Sequence, residues 1–468
     1  MLFSMLQIAS LFDVREGREA SSSTPNLYLL RAGQALVTGQ YHRARPCSVE
    51  ALLLYAFCKW MCKEDQEKDA WMIMGVCVRL AMRMGYHRDP RHLTSITPFE
   101  GEMRRRTFFL VEIFDLLFAF QAGLPAIVQE EECDVEPPRN LFDTDFSEDC
   151  KELPPSRPPG DPTPMLYFCY KCRMAKILRR VIRHALSLKE SRYEDTMRLD
   201  GELQETHEDV PPSLRMRPLS SSFIEPAITT SQRLTINLMY LKSLCVLHRS
   251  FLGHDRSNPT YHYSRTTCVD AALQILTHQA ELYTACQPGG LFHDDQWMLS
   301  NLVLRDSLLA AMILCLDLYE ARGDLIPIDE EIRERNARRY STLEACHRIW
   351  LCRRTSSREA ARASKVLGFM LSKLSGPTAV SPSPNLSLGI SVMSQNDAGG
   401  NIINSIATSS SVSPCHIIEQ TVPQRDHSQN DVTLLDHTAG DPLHAIFNDS
   451  NEPDWVSPDK DLLVEIKG

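Results

Sequence analysis

An apolar segment from Phe108 to Phe120, FFLVEIFDLLFAF, constrains the fold of this chain more than any other feature. A helix with this sequence is apolar on nearly every side, so it belongs at the centre of the molecule, with other elements packed around it. The segment contains only two acids, Glu112 and Asp115. Because no alternating strand pattern and no repeat of fixed period accompany it, the sequence predicts an all-α fold, a large irregular multi-helix domain.

Two cap signals mark the starts of long helices. Thr97-Pro98 with Glu100 combines an N-cap, a proline in the first turn and the acid of a capping box, and the helix should end near Gly123. Thr163-Pro164 repeats the cap and proline, opening a helix to about residue 188. Further helices are predicted over residues 1–12 (buried), 26–40, 48–62, 67–86, 231–252, 261–286, 298–322 and 329–374, the last broken near Thr355. Residues 137–164 are predicted to form an ordered surface crossing. Residues 200–222 are predicted to form a second segment without a helix.

Composition limits the class of protein. The net charge of -10 argues against nucleic-acid binding by the chain as a whole, because phosphate attraction needs a basic surface. The cysteines lie mostly in apolar helical stretches, where thiols behave as small hydrophobes, and this pattern is typical of a reducing compartment. No apolar run approaches the ~18 residues of a membrane span, so no membrane partner is expected.

The composition changes after the helical domain, which the sequence assigns to residues 1–374. Residues 375–430 are rich in Ser, Pro, Asn and Gly, which predicts a disordered linker. Residues 431–468 carry nine acids and two lysines among bulky apolar residues. Two interpretations of this tail stay open: an acidic-hydrophobic activation segment and a solubilising tail. The activation hypothesis rests on Phe447, Trp455, Leu462 and Leu463.

Asp115 is the candidate centre of an internal ion-pair network. A carboxylate within so apolar a helix is costly unless it meets a cation or several donors. The candidate cations are Arg104, Arg105 and Arg106 at the start of the helix, and Arg79 or Arg88 before it. The sequence favours this structural clamp over contact of the arginines with DNA phosphates. In the turn His87-Arg88-Asp89-Pro90, a structural role after a helix end is likewise favoured over a catalytic pair.

The remaining motifs predict no enzyme and no cofactor site in this chain. Cys169 and Cys172 form a lone Cys-x-x-Cys without the second ligand pair of a zinc site. His293-Asp294-Asp295 lacks the further acid of a magnesium motif, and a loop or cap is the better interpretation. No metalloprotease, phosphate-loop or nucleophile-elbow motif is present in the sequence. The basic run 333–365 is interpreted as a solvated helix face first, a nuclear-import patch second and a nucleic-acid contact third.

Several of these blocks resemble the fungal-specific transcription factor domain, the middle homology region of zinc binuclear cluster regulators. Residues 75–90 are similar to a small-residue helix ending in a His-Arg-Asp turn, and residues 102–115 to an Arg-Arg-Arg, aromatic pair, Asp signature. Gly123-Leu124-Pro125 and the acidic segment after it match the block that follows. Leu116 departs from the arginine that often follows the aspartate, and the resemblance is good over residues 27–146.

The resemblance implies a nuclear transcription regulator, governing a metabolic or secondary-metabolite gene cluster. Such proteins read DNA through an N-terminal six-cysteine zinc cluster, whereas the first cysteine here is Cys47, already inside the helical domain. Zinc is therefore expected only in a missing cluster, and DNA contact only through a missing module or a partner. A co-regulator or the transcription machinery and a homo- or heterodimer are the expected partners. The sequence suggests a fragment or truncated gene, or a DNA-independent partner that modulates a full-length relative; a helical enzyme is the third hypothesis.

Overall fold

Helices form the whole framework of the part of the chain that is described. The computed structural model describes residues 1–13, 25–61, 67–93, 95–187, 192–219, 225–254, 256, 258–293, 304–321, 330–355 and 358–375. These residues form twelve α-helices and no strand, so the all-α class is confirmed. The helices are α1 (Leu2–Asp13), α2 (Pro25–Thr38), α3 (Ser48–Met61), α4 (Glu67–Arg83), α5 (Pro98–Gln121), α6 (Pro164–Ala185), α7 (Tyr193–Glu208), α8 (Ala227–His248), α9 (His262–Ala285), α10 (Leu304–Glu320), α11 (Glu330–Arg353) and α12 (Arg358–Ser375).

Helix α5 lies between two hydrophobic cores, as its all-round apolar sequence predicts. Phe108, Val111 and Phe118 join the core formed with α2, α3 and α4. Phe109, Ile113 and Leu116 join the larger core formed with α6 to α12. Since one face of α5 is buried in each core, this helix holds the two helical layers together.

The predicted caps are present in both helices. Thr97 Oγ1 accepts the backbone N–H of Glu100 at 3.2 Å, and Thr163 Oγ1 accepts that of Met165 at 3.0 Å. The prediction that Glu100 completes a capping box is wrong. Its carboxylate pairs with Arg104 instead of accepting the backbone N–H of Thr97. Helix α5 stops where predicted, and Gly123 takes the left-handed conformation (φ +68°) that favours glycine after a helix end.

Between α5 and α6 the chain runs over the surface without an α-helix. We call residues 122–163 the crossing segment; its only helical turns are the 3-10 turns Glu130–Glu132 and Asp143–Asp145. Asn140 fixes its far end, with Nδ2 donating to the carbonyl oxygens of Arg157 and Asp161 at 3.1 Å each. Asn140 Oδ1 accepts the Thr163 hydroxyl at 2.8 Å. The predicted ordered crossing at 137–164 is therefore confirmed, and one buried amide accounts for much of its order.

Two sequence predictions about helices are wrong. Residues 200–208, which were expected to be non-helical, belong to α7, because Leu199 and Leu203 lie four residues apart and are both buried. In α1 the helix itself is confirmed but not its burial, since Leu2 is 67% exposed while the polar Gln7 is fully buried. The predictions for residues 376–468, including Phe447, Trp455, Leu462 and Leu463, lie outside the described residues, as do Asp294 and Asp295.

Candidate functional site

Asp89 collects the hydrogen bonds that close the turn between α4 and α5. Its side chain is fully buried, and the Arg105 guanidinium reaches it with Nη2–Oδ1 at 2.8 Å and Nε–Oδ2 at 3.2 Å. The backbone N–H of Arg91 donates to Oδ1 at 2.9 Å, and that of Glu136 donates to Oδ2 at 3.1 Å. One carboxylate thereby joins the turn, the central helix and the crossing segment.

The electrostatics of Asp89 follow from these donors. Burial alone would raise the pKa of a carboxyl group, because the charged form loses its hydration. The Arg105 guanidinium and the backbone N–H groups of Arg91 and Glu136 outweigh that effect and hold the pKa of Asp89 well below its usual range. The group is therefore a fixed anion, whereas a general base needs a pKa near the working pH.

Arg106 extends the network from α5 to the crossing segment. Its Nε donates to Glu102 Oε1 at 3.2 Å, and its Nη1 donates to Asp143 Oδ1 at 2.7 Å. Glu102 is fully buried and also accepts the backbone N–H of Arg139 at 3.0 Å. Burial raises the pKa of Glu102, although the Arg139 N–H and Arg106 oppose that shift.

Arg104 faces the other way, toward the end of α4. It donates to the backbone carbonyl of Met84 at 3.1 Å, and its guanidinium lies 4.9 Å from the centre of the Tyr86 ring. The donation caps a carbonyl near the C-terminal end of α4, where the helix has orphan acceptors. The three consecutive arginines thus contact three different parts of the structure, and none of these contacts needs a nucleic acid.

Asp115 is clamped by a different arginine from those that the sequence suggested. It accepts the backbone N–H groups of Ile127 and Val128 at 3.2 Å and 2.9 Å, and its cationic neighbour is Arg179 of α6, 3.9 Å away. The prediction of a clamp to Arg104–Arg106 is wrong because a helix rises about 1.5 Å per residue, which places Arg105 roughly 15 Å along α5. Arg79 and Arg88 are also excluded, since both are exposed and bind elsewhere.

Arg179 holds the crossing segment against α5. It is 4% exposed, and it donates to the carbonyl of Val128 at 2.6 Å and to that of Glu112 at 3.1 Å. Burial raises the pKa of Asp115, while the two backbone N–H groups and Arg179 offset that shift. Sequence reasoning missed Arg179, but it lies next to Leu178 and three residues before Ile182 on the buried face of α6, and that position is the signal for it.

The remaining signature residues lie at the edge of the network. Arg88 is exposed and pairs with Asp134 of the crossing segment, with Nη2–Oδ2 at 2.9 Å. The backbone carbonyl of His87 accepts the N–H of Asp134 at 3.2 Å. Arg79 only donates to the carbonyl of Gly75 in its own helix, at 3.2 Å. The predicted structural turn at 87–90 is thus built of contacts to the crossing segment.

A second buried polar network, which the sequence analysis did not predict, joins α7, α8 and α9. His248 Nε2 lies 3.2 Å from Asp200 Oδ1, and its Nδ1 lies 2.9 Å from Ser264 Oγ. The order Asp, His, Ser is that of a hydrolase triad. His248 and Ser264 are both 0% exposed, however, so a substrate cannot reach the hydroxyl. The Tyr263 hydroxyl completes the network by donating to Asp200 Oδ2 at 2.7 Å.

The thiols of the Cys-x-x-Cys pair, Cys169 and Cys172, are suited to packing rather than to metal binding or nucleophilic chemistry. Burial raises the pKa of Cys169 to about 11 and that of Cys172 to about 12, so both stay protonated at neutral pH. Among the described residues, no group of three or more His, Cys, Asp or Glu is placed to hold a metal ion. Within the same ranges, no helix has the length and apolar composition needed to cross a membrane.

The basic run 333–365 divides into a buried member and exposed ones. Arg339 is 7% exposed and pairs with Asp317 of α10 at 2.7 Å, so it is not part of a solvated face as the sequence suggested. Arg333, Arg335 and Arg338 are exposed on α11, and Arg354, Arg362 and Lys365 are exposed where α11 gives way to α12. All three interpretations of the run require exposed members such as these, so the choice among them stays a prediction.

The chain matches known proteins over most of its helical part. The family described as "Fungal specific transcription factor domain" matches residues 1–236, well beyond the 27–146 of the sequence resemblance. The chain is 37% identical to the "Zn(2)-C6 fungal-type transcription factor mpsB" of Macrophomina phaseolina, over 82% of this chain and 53% of that protein. It is 31% identical to the "Equisetin cluster transcription factor eqxF" of Fusarium heterosporum, over 75% of this chain and 50% of that protein.

A third relative is the "Zn(2)-C6 fungal-type transcription factor pigI" of Monascus ruber, 37% identical over 80% of this chain and 47% of that protein. The chain therefore spans about half the length of these curated relatives. No solved structure matches it. The matching family is one of transcription factors rather than enzymes. Since that family covers half of the sequence, the chain belongs to the fungal specific transcription factor domain family.

Proposed function

We propose that this chain regulates transcription through its helical domain and that its targets form a secondary-metabolite gene cluster. The family match over residues 1–236 carries the proposal. The names of several relatives refer to gene clusters, among them the equisetin and pyrrolocin clusters, which supports the kind of target. The two buried networks add a rigid frame without accessible catalytic groups, as a regulatory domain requires.

The proposal extends to how the domain reaches its targets. Two relatives carry Zn(2)-C6 in their names, which supports DNA contact through a zinc-cluster module, in this polypeptide or in a partner. The protein then acts in the nucleus, as a homodimer or a heterodimer, and zinc would belong to that module rather than to the helical domain. In the tail, the interleaved acids and apolar residues of 431–468 support an activation segment that recruits a co-regulator.

Deleting the coding sequence in the source fungus and profiling all transcripts tests the regulatory proposal. The expected result is a coordinated fall in transcripts of neighbouring biosynthetic genes, restored by the reintroduced sequence. A coordinated rise would instead identify a partner that restrains a full-length relative. Unchanged transcript levels, under conditions in which the protein is made, would contradict both functions.

The activation proposal has its own test, a fusion of residues 376–468 to a heterologous DNA-binding domain with a reporter gene. The fusion should activate the reporter, and alanine at Phe447, Trp455, Leu462 and Leu463 should abolish that activity, because bulky apolar side chains make the contacts that the acids keep accessible. A matched fusion with alanine at Asn448, Ser450, Asn451 and Ser457 should stay active. An inactive wild-type fusion would leave only the solubilising tail.

A further inference from the structure

Helices α11 and α12 form a groove that is both basic and apolar. It is lined by Leu351 and Arg354 of α11 and by Ala361, Ser364, Lys365 and Gly368 of α12, and its volume is about 340 Å³. That is roughly ten times the share of a water molecule in the liquid. Below it, His347 Nε2 donates to the carbonyl of Ser364 at 3.0 Å and fixes the two helices together. Gly368 keeps the floor open, since a Cβ there would lie 3.1 Å from His347 Nε2.

The groove exposes apolar side chains beside positive charges. Leu351 is 37% exposed, and Phe369, which follows Gly368 and lies one helical turn after Lys365 on α12, is 52% exposed. Among the described residues, no ion pair joins Arg354 or Lys365 to an acid, and both side chains are exposed. Residues 345–375 contain seven arginines and lysines and a single acid, Glu359. This surface is complementary to a peptide that carries acids and bulky apolar side chains together.

The same chain carries such a peptide. We propose that residues 441–468 bind in this groove, with Trp455 as the apolar anchor against Leu351 and Phe369 and with neighbouring acids against Arg354 and Lys365. Asp454 precedes Trp455 directly, and Asp461 precedes Leu462-Leu463. Residues 376–440 separate α12 from this part of the tail, and an extended chain gains up to about 3.5 Å per residue, so length does not prevent the contact. Exposed Leu351 and Phe369 favour this peptide over a nucleic acid, whose backbone offers only charge.

Photocrosslinking in the purified full-length chain tests the proposal. With p-benzoylphenylalanine in place of Trp455, irradiation should give crosslinks to residues 345–375, located by mass spectrometry. The double change Arg354→Glu and Lys365→Glu should lower their yield about fivefold, the combined effect of two exposed ion pairs. The matched change Arg335→Glu and Arg338→Glu, which alters two exposed arginines of α11 outside the groove, should leave the yield unchanged. Adding Asp454→Lys and Asp461→Lys to the groove variant should restore it.

Each other outcome overturns the proposal. Crosslinks outside residues 345–375, or a yield that the groove variant does not lower, would place the tail elsewhere. Crosslinks between isotopically labelled and unlabelled copies would identify a second copy as the occupant. If no crosslink forms, and the wild type binds a short DNA duplex that the groove variant does not bind, the groove is a nucleic-acid contact. If neither a crosslink nor DNA binding is detected, the groove is a solvated face without a partner. An unchanged melting profile of the groove variant excludes misfolding as the cause.

Discussion

Arg105 and Asp89 form a buried pair in which two guanidinium nitrogens face both carboxylate oxygens, at 2.8 Å and 3.2 Å. The two residues come from different elements, the central helix and the turn before it, and both are at most 4% exposed. A bidentate pair of this kind fixes direction as well as distance. Because Asp89 also accepts the N–H of Glu136, the pair sets the path of the crossing segment over the central helix.

Replacing Asp89 by Asn should destabilise the domain strongly. The change keeps the shape of the side chain but removes the closer, bidentate counter-ion of the buried Arg105, which keeps only Glu102 Oε2 at 3.8 Å, and breaking such a buried pair costs about 3–5 kcal/mol. Urea unfolding followed by circular dichroism measures the change. The matched control Asp143→Asn removes a carboxylate that is 88% exposed and that pairs with Arg106, and it should have little effect. Equal effects of the two changes would refute the role given to burial.

The Asp89 pair should also contribute to acid sensitivity. Its pKa is lowered in the folded protein, so its contribution to stability is full above the unfolded-state pKa of about 4 and is lost as pH falls through the lower folded value. The difference in the free energy of unfolding between wild type and Asp89→Asn should therefore be constant near neutral pH and shrink below about pH 4. A difference that does not change over this range would mean that Asp89 is not the anion described.

Asp115 and Arg179 should behave as one coupled unit. Arg179→Met alone leaves a buried carboxylate without its cation, at a cost of about 3–5 kcal/mol. The double variant with Asp115→Asn should cost less than the sum of the single changes by roughly 0.5–3 kcal/mol, which a double-mutant cycle measures. The control is Arg183→Met. Arg183 lies on the same helix as Arg179 but is exposed and pairs with Glu131, so its replacement should couple weakly to Asp115→Asn. Additive effects at 115 and 179 would contradict the clamp.

Two glycines in helices should respond to alanine in opposite directions. A Cβ on Gly101 of α5 would lie 2.9 Å from Pro90 Cβ, so Gly101→Ala should push the turn away from the helix and cost about 1–3 kcal/mol. Gly201 of α7 has nothing within 4 Å of such a Cβ, and Gly201→Ala should stabilise the helix by about 1 kcal/mol. Thermal unfolding of both variants checks the sign, and a stabilising Gly101→Ala would disprove the close contact with Pro90.

Ser264 should be a structural hydroxyl despite its triad-like neighbours. Because it is fully buried beside His248, a serine-reactive fluorophosphonate should not label the folded protein at this residue. Ser264→Ala should lower the free energy of unfolding by about 1–3 kcal/mol, since it leaves His248 Nδ1 without its buried partner. Labelling of Ser264 in the folded protein, lost in Ser264→Ala, would revive the enzyme hypothesis.

Local chemistry explains the sequence predictions that succeeded. Residues 108–120 are apolar around the whole helix, which requires partners on every side, and α5 does lie between two cores. Thr97 and Thr163 cap their helices because a short hydroxyl side chain before proline suits that position. The structural role of the turn at Asp89 is also predictable, because a polar cluster directly after a helix end is typical of a turn.

The sequence alone does not predict which distant segments pair with each other. Asp115 needed a cation, but whether that cation came from α5 itself or from α6 depended on which helix packs beside it, and Arg179 is 64 positions further along. The His248 network likewise joins three helices whose contacts no local pattern reveals. The prolines after α7 predict a non-helical segment over residues 200–222, whereas Leu199 and Leu203, four residues apart, mark the buried face of the helix.

Chromatin immunoprecipitation of the tagged full-length protein in the source fungus tests the central claim most directly. If the chain regulates transcription through a zinc-cluster module or partner, it should be recovered at the promoters of those genes whose transcripts change when its coding sequence is deleted. The destabilised Asp89→Asn protein should lose that recovery, and the Asp143→Asn protein should keep it. Recovery of the intact protein at no promoter, while those transcripts still depend on it, would contradict a role at DNA.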